Sequence, residues 1–270
     1  MLTTKLSDIF QLIKKELFLS FAFFHVPYIL ARQDINAKYK RSKIGAFWLT
    51  INTAVFISVL SFVFGHLLNN RIEVFVPMLA IAIITWNLIA SILNESSSCI
   101  YESSGMILQT NTPILSILIR VFLRNIIIFF HNLLIIPFLY YFFNIELSFF
   151  IIYTVPSFFL LILFLIGPAV FLSVICLRYR DMGSIVQNIL QVCFYLTPII
   201  WIIENINNEK IMSLLMINPF YYPITSMQSA FLSKPIPYEL FLIQLLISFF
   251  TLFVGFYLFG VYRKRIPFWL

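Results

Sequence analysis

The sequence predicts an all-α integral membrane protein: six transmembrane helices, an N-terminal amphipathic helix in the membrane interface, and both termini in the cytoplasm. Three observations predict it. Of the 270 residues, 61% are hydrophobic and only 11% are charged, where a water-covered domain carries roughly a quarter charged; mean hydropathy is +0.97. The apolar residues gather into runs long enough to cross a bilayer. The basic residues alternate between the two sides those runs define.

The first 31 residues read as an interfacial segment. From Lys5 to Phe24, apolar side chains recur at Leu6, Ile9, Phe10, Ile13 and Leu17, with Asp8, Gln11, Lys14 and Lys15 between them. That is a helical stripe with a charged opposite face, as in a helix lying among headgroups. The run Leu17–Ala31 contains His25 and Pro27 and falls short of the ~20 residues a span needs, so it reads as interfacial or re-entrant. It carries no small-residue cleavage site, and no signal peptide is expected. Next comes a basic stretch, Arg32 to Trp48, with Arg32, Lys38, Lys40, Arg41 and Lys43 against one acid, Asp34. It fixes the side of the bilayer on which the chain enters.

Residues 32–270 then make the six-span domain. The predicted spans are 46–68, 74–93, 114–143, 149–177, 185–203 and 240–262. With the N-terminus inside, Arg71, Lys210 and Lys234 alone among the 18 Lys and Arg residues fall outside, a decisive bias under the positive-inside rule. Asn69–Glu73 and Asn144–Ser148 are short outer turns. The polar stretch Asn94–Pro113 suits a short helix on the inner side, and Arg178-Tyr-Arg-Asp-Met-Gly183 forms a charged elbow there. Glu204–Glu239 is a long outer connection, broken by Asn218-Pro219 and by Pro235 and Pro237. With seven glycines, close small-residue packing is not expected to be the dominant device between spans.

Absences narrow the chemistry. No glycine begins a GxxxxGK[ST] loop or a GxGxxG turn, and there is no HExxH, Cys/His cluster or GxSxG elbow. The chain therefore predicts no catalytic, metal or cofactor site of its own, and uphill work would draw on a partner. Cys99, Cys176 and Cys193 lack ligand spacing and read as free thiols. Arg120 and Arg124 share one face at the inner end of the third span. They form either a cationic lip for an anionic phosphate or snorkels that set topology. His131, two turns further, is a core histidine or a proton relay; no carboxylate lies in its span. Gln187, Asn188, Gln191 and Tyr195 follow one face of the fifth span, ahead of Thr197-Pro198. Lipid-facing amides are costly, so that face points to a bundle interior, a subunit contact or a wet passage. Pro198 predicts a break. Aromatic residues, 18% of the chain, suit interface belts at Trp201, Tyr221, Tyr222 and Trp269, or the lining of a passage for sugars.

Together these motifs resemble the type-two ABC exporter permeases that move surface polysaccharides. Arg32, Asp34, Ile35, Tyr39, Ser42, Gly45 and Trp48 match that family's entry motif, with Lys38 and Ile44 as near substitutes. Phe64-Gly65, the elbow at Tyr179-Arg180-Asp181, the break Tyr195-Leu-Thr-Pro198-Ile and the turn Ile217-Asn218-Pro219 follow in the family's order and spacing. Asn52-Thr53 departs from its pattern and leaves the bend of the first span open.

The resemblance implies a permease of the bacterial inner (cytoplasmic) membrane that pairs with a second copy of itself and docks two ATPase subunits. ATP and Mg would be used by those partners. Coupling would fall to Glu95, Ser98, Tyr101, Glu102 and Ser104 in a helix spanning Asn94–Gly105, together with Arg180 and Asp181. Channel and gate candidates are Arg120, Arg124, Gln187, Gln191, Tyr195, Pro198, Asn218 and Pro219. The implied substrate is an undecaprenyl-pyrophosphate-linked glycan such as O-antigen, a capsule or a teichoic acid. Membrane lipids, and no nucleic acid, complete the expected partners. A drug or lipid exporter is the alternative within the class, and a membrane enzyme acting on lipid-linked sugars the alternative outside it.

Overall fold

A computed structural model describes residues 6–40, 42–67, 71–110, 112–146, 148–203 and 209–270. Lys5, Arg41, Leu68, Asn69 and Glu204, and the side chains of Leu6 and Asp8, lie outside that description. The described chain is helical. In order it forms α1 (Leu6–Ala22), α2 (His25–Tyr39), α3 (Phe47–Leu67), α4 (Ile72–Glu102), α5 (Ser104–Thr110), α6 (Ile114–Asn132) and α7 (Ile135–Phe142). A 3-10 turn (Phe149–Tyr153) leads into α8 (Thr154–Arg178), followed by α9 (Met182–Leu196), α10 (Glu209–Ile217), α11 (Tyr221–Phe231), α12 (Tyr238–Tyr262) and α13 (Ile266–Trp269).

Among the described residues, five stretches are long and apolar enough to cross a membrane: Phe47–Leu67, Ile72–Glu102, Ile114–Phe142, Phe149–Arg178 and Tyr238–Tyr262. These are the first four predicted spans and the sixth. The fifth is a shorter apolar helix, α9, whose last turn stops at Leu196 because Pro198 has no N–H with which to continue it. The third span bends at Leu133-Leu134, where α6 gives way to α7. Pro137 supplies no N–H to the carbonyl of Leu133, and its ring crowds that carbonyl.

Helix α4 is the axis of the bundle. It is apolar nearly all round and packs against α3, α6, α8, α9 and α11, burying residues from Phe75 to Ile100. A helix without a polar face belongs in the middle of its neighbours. By contrast, α3 and α12 keep wide apolar faces open, at Val55, Phe56, Val59 and Phe62 on one and Leu246, Phe249, Phe250 and Phe253 on the other. In a membrane protein those faces meet acyl chains.

The most extensive helix pair is α8 with α12, and two glycines set its distance. A Cβ on Gly167 would lie 2.3 Å from the Thr251 carbonyl carbon, and one on Gly255 would lie 2.4 Å from the Gly167 oxygen. Glycine is scarce here, yet at this crossing backbone packs directly against backbone.

Three further expectations change. Residues 94–102 do not form a separate helix; they extend α4 by about two and a half turns, since nothing in Asn-Glu-Ser-Ser-Ser-Cys-Ile-Tyr-Glu interrupts the backbone bonding, and α5 follows as a short helix. The boundary expected after residue 31 falls inside α2, because the chain bends earlier, at Phe23-Phe24. On α1, Ile9 and Glu16 are buried against the bundle, while Phe10 is 69% exposed. Finally, the long connection is not simply external. Its helix α11 inserts against α4, α8 and α12, burying Tyr222, Ile224, Met227 and Gln228. The Phe220 ring meets Trp86, midway along α4, at 5.5 Å, so α10 and α11 form a re-entrant hairpin.

Candidate functional site

Polar residues gather at two levels of the bundle and along one open helix face. The first level is the basic end, where α4 and α8 finish and α6 begins. Helix α2 lies along α6, placing Asp34 between two arginines. Arg120 donates to it through Nε at 2.8 Å and Nη2 at 2.5 Å, and Arg124 through Nη1 at 2.7 Å. Arg124 Nη2 also donates to Glu95 Oε2 on α4 at 2.7 Å, and Asn125 Nδ2 donates to the same oxygen. Three helices are thereby tied by two cations and two carboxylates, a neutral cluster. Burial alone would raise the Asp34 pKa, but the hydrogen bonds and charges of Arg120 and Arg124 outweigh it and hold the carboxyl below its ordinary range.

Residues from three expected groups thus meet in a single cluster: Asp34 of the entry motif, Arg120 and Arg124 of the channel candidates, and Glu95 of the coupling set. The charges of Arg120 and Arg124 are engaged by Asp34 and Glu95. The rest of the entry motif shapes the chain around them. The Ser42 hydroxyl accepts from the Gly45 N–H at 3.2 Å, and Gly45 takes φ +63°, a left-handed turn that glycine adopts without steric cost. Arg32 and Trp48 stay exposed and Tyr39 is half-buried.

Beyond the cluster, α4 presents Tyr101 and Glu102 to solvent, with Ser98 and Ser104 half-buried. The Arg180 guanidinium sits 4.5 Å from the Tyr101 ring centre, joining the elbow to the end of α4. Arg180 and Asp181 are exposed. Sequence reasoning overlooked Glu16. It is buried on α1, accepts from Arg263 Nε at 2.6 Å and receives the Ile114 N–H at 3.1 Å, which caps α6. A carboxylate between Lys14-Lys15 and the head of the apolar run at Leu17 was the available signal.

The second level is the far end, where α9 breaks. Thr197 and Asn218 are buried, and Asn218 Nδ2 donates to Thr197 Oγ1 at 2.9 Å, while Asn218 Oδ1 accepts from the Phe220 N–H. The Pro198 carbonyl, freed by the break, accepts from Gln228 Nε2 at 3.2 Å. Tyr140 OH donates to the Phe231 carbonyl. Pro198 and Asn218 therefore meet through a latch between the α9 break and the hairpin, whereas Pro219 is exposed. Gln228 and Thr197 complete that latch, and their spacing alone gave no sign of it.

Between the two levels runs the open face. Gln187, Asn188, Gln191 and Tyr195 are all exposed on α9, uncovered by the other described helices. Of the three readings open to this face, the bundle interior is removed. His131, meanwhile, hydrogen-bonds the Ile127 carbonyl one turn back, and its own carbonyl accepts from Thr50 Oγ1.

A helical bundle with five membrane-length helices among the described residues, and a hairpin latched into it, defines a multi-pass membrane protein. Residues 6–232 match the ABC-2 type transporter family, and the chain belongs to that family; it is a transporter component, not an enzyme. It is similar to two O-antigen export system permease proteins. One, from Klebsiella pneumoniae, is 24% identical, with 90% of this chain and 93% of the relative covered. The other, from Myxococcus xanthus, is 21% identical, covering 77% and 80%.

Proposed function

We propose that the chain is the membrane-embedded permease of an ATP-driven exporter of lipid-linked surface polysaccharide in the bacterial inner membrane. Two copies face each other across the amide-bearing side of α9, and two ATPase subunits bind the basic end. The observation that carries this reading is the uncovered face at Gln187, Asn188 and Gln191. Each amide left against lipid costs several kcal/mol, about 2–7 by transfer estimates. A second copy, or water and sugar in a passage between copies, relieves that cost. Similarity to two O-antigen permeases over most of their length supports the substrate class, a glycan carried on undecaprenyl pyrophosphate.

In this reading the basic end is cytoplasmic, as are both termini, and α9 with the segment after Pro198 completes a sixth crossing. Tyr101, Glu102, Arg180 and Asp181 provide the surface an ATPase grips. Glu95, tied through Arg124 to Asp34, passes its movement from α4 to α2 and α6. ATP and Mg are handled by the ATPase. At the far end, opening requires parting Asn218 from Thr197 and Gln228 from Pro198, a two-state rearrangement of the hairpin against α9. The test is co-purification with the ATPase encoded beside it. A complex with two copies of each chain, hydrolysing ATP and required for surface glycan, is expected; a stable monomer that recruits no ATPase overturns the reading.

A further inference from the structure

At the basic end, α8 and α12 finish side by side and the short helix α13 folds back over them. Between them lies a cavity of about 240 Å³ whose lining includes Arg178, Arg265, Tyr262 and Trp269. We propose that this cavity binds the phosphate of an anionic phospholipid headgroup, with Arg178 and Arg265 as its ligands. The inference rests on the chain being a multi-pass membrane protein and not on the glycan reading.

The charges argue first. Arg120, Arg124 and Arg263 each hold a carboxylate. Among the described residues Arg178 and Arg265 hold none, and no carboxylate lines the cavity. What they have instead are ring faces. The Arg178 guanidinium lies 5.4 Å from the Trp269 centre and the Arg265 guanidinium 5.9 Å from that of Tyr262, while the two rings stand 5.4 Å apart. Rings steady a cation without neutralising it. Two guanidinium groups lining one cavity repel each other until an anion joins them, and a phosphate, with oxygens for both planar forks, matches that demand.

Position selects the source of the phosphate. Arg178 ends α8 and Tyr262 ends α12, both of membrane-crossing length, so the cavity opens at headgroup depth. Tyr262 and Trp269 are residues of the kind that settle there. Beside them Phe268 is 87% exposed, an apolar ring suited to acyl chains under a headgroup and poorly suited to water.

The full-length protein, purified in detergent and placed in nanodiscs, tests the assignment. Native mass spectrometry would compare retained phosphatidylglycerol with phosphatidylcholine for the natural chain, R178Q/R265Q and R178K/R265K. The natural chain is expected to favour phosphatidylglycerol. The double Gln variant should lose about tenfold or more of that occupancy with phosphatidylcholine unchanged, and the double Lys variant should fall between. Equal phosphatidylglycerol on the natural chain and the double Gln variant would overturn the proposal. So would inorganic phosphate binding without lipid selectivity, or loss of ATPase association in the Gln variant with lipid binding intact. A photoreactive phosphatidylglycerol on the natural chain keeps the test independent of folding in the variants. Labels should fall on residues 174–179 and 262–269, and labelling confined to other segments would contradict the site.

Discussion

Asp34 carries more than its share of the basic end. It accepts three hydrogen bonds from two arginines, and its removal leaves two guanidinium groups half-buried and underpaired. Breaking a buried pair costs ~3–5 kcal/mol, and partial exposure of all three side chains reduces this to about 1–3 kcal/mol. D34N should therefore lower the thermal unfolding midpoint in detergent, and a cycle with R120Q should show coupling between the two sites. The acid dependence has a fixed sign. The folded pKa is depressed, so the carboxylate contributes fully above its unfolded pKa of about 3.9. That contribution is lost as pH falls through the folded value. The stability difference between the natural chain and D34N should stay level from neutral pH down to mild acid and shrink only below about pH 4. A difference that vanished near neutrality would contradict the cluster.

At the scale of elements, α8 and α12 are joined where Gly167 and Gly255 cross. G167A or G255A would drive a methyl into backbone atoms 2.3–2.5 Å away, and backbone cannot yield as a side chain does. The cost should reach or exceed ~3 kcal/mol, read as poor yield and a lowered unfolding midpoint. G260A meets the Cγ2 branch of Ile9 and the tip of Ile13, side-chain atoms that shift at less cost than backbone, and should be milder. The latch behaves differently. Q228L leaves the Pro198 carbonyl without its side-chain donor, a loss of about 1–3 kcal/mol confined to one conformational state. It should raise the reactivity of a cysteine placed at Thr225, which lines the cavity beside Pro198, with little change in yield; unchanged labelling would argue against a gate there.

Element identity was legible in the sequence wherever apolar runs were long, because crossing a bilayer demands length and leaves few alternatives. Five of the six predicted spans carry their own signal in that way. The exceptions follow from what a single run cannot express. Polar residues at 94–102 suggested an end to the second span, but they are adequate helix formers and α4 continues through them. Residues 221–231 read as loop because their hydropathy is moderate, yet burial by α4, α8 and α12 holds them as a helix. The partners of Asp34 sit 86 and 90 residues away, so like-spaced charges on α6 showed a shared face and nothing of its complement. The α9 amides, in contrast, were visible from spacing alone, and the structure leaves them uncovered.

The whole molecule poses the question of what covers them. In a background with Cys99, Cys176 and Cys193 replaced, a cysteine at Gln191 should form a disulfide-linked dimer on mild oxidation in membranes, and one at exposed Phe250 on α12 should not. Equal cross-linking at both sites, or at neither, would count against pairing through α9. Such pairing creates a passage with no motor of its own, so energy must enter from outside the chain. The decisive measurement places the chain and its neighbouring ATPase in proteoliposomes, with lipid-linked glycan supplied on the ATPase side. An impermeant glycosidase on the opposite side should cleave that glycan only while ATP is hydrolysed, and E102Q should uncouple hydrolysis from cleavage. Glycan that reaches the enzyme equally without ATP, or never reaches it despite hydrolysis, would contradict the account.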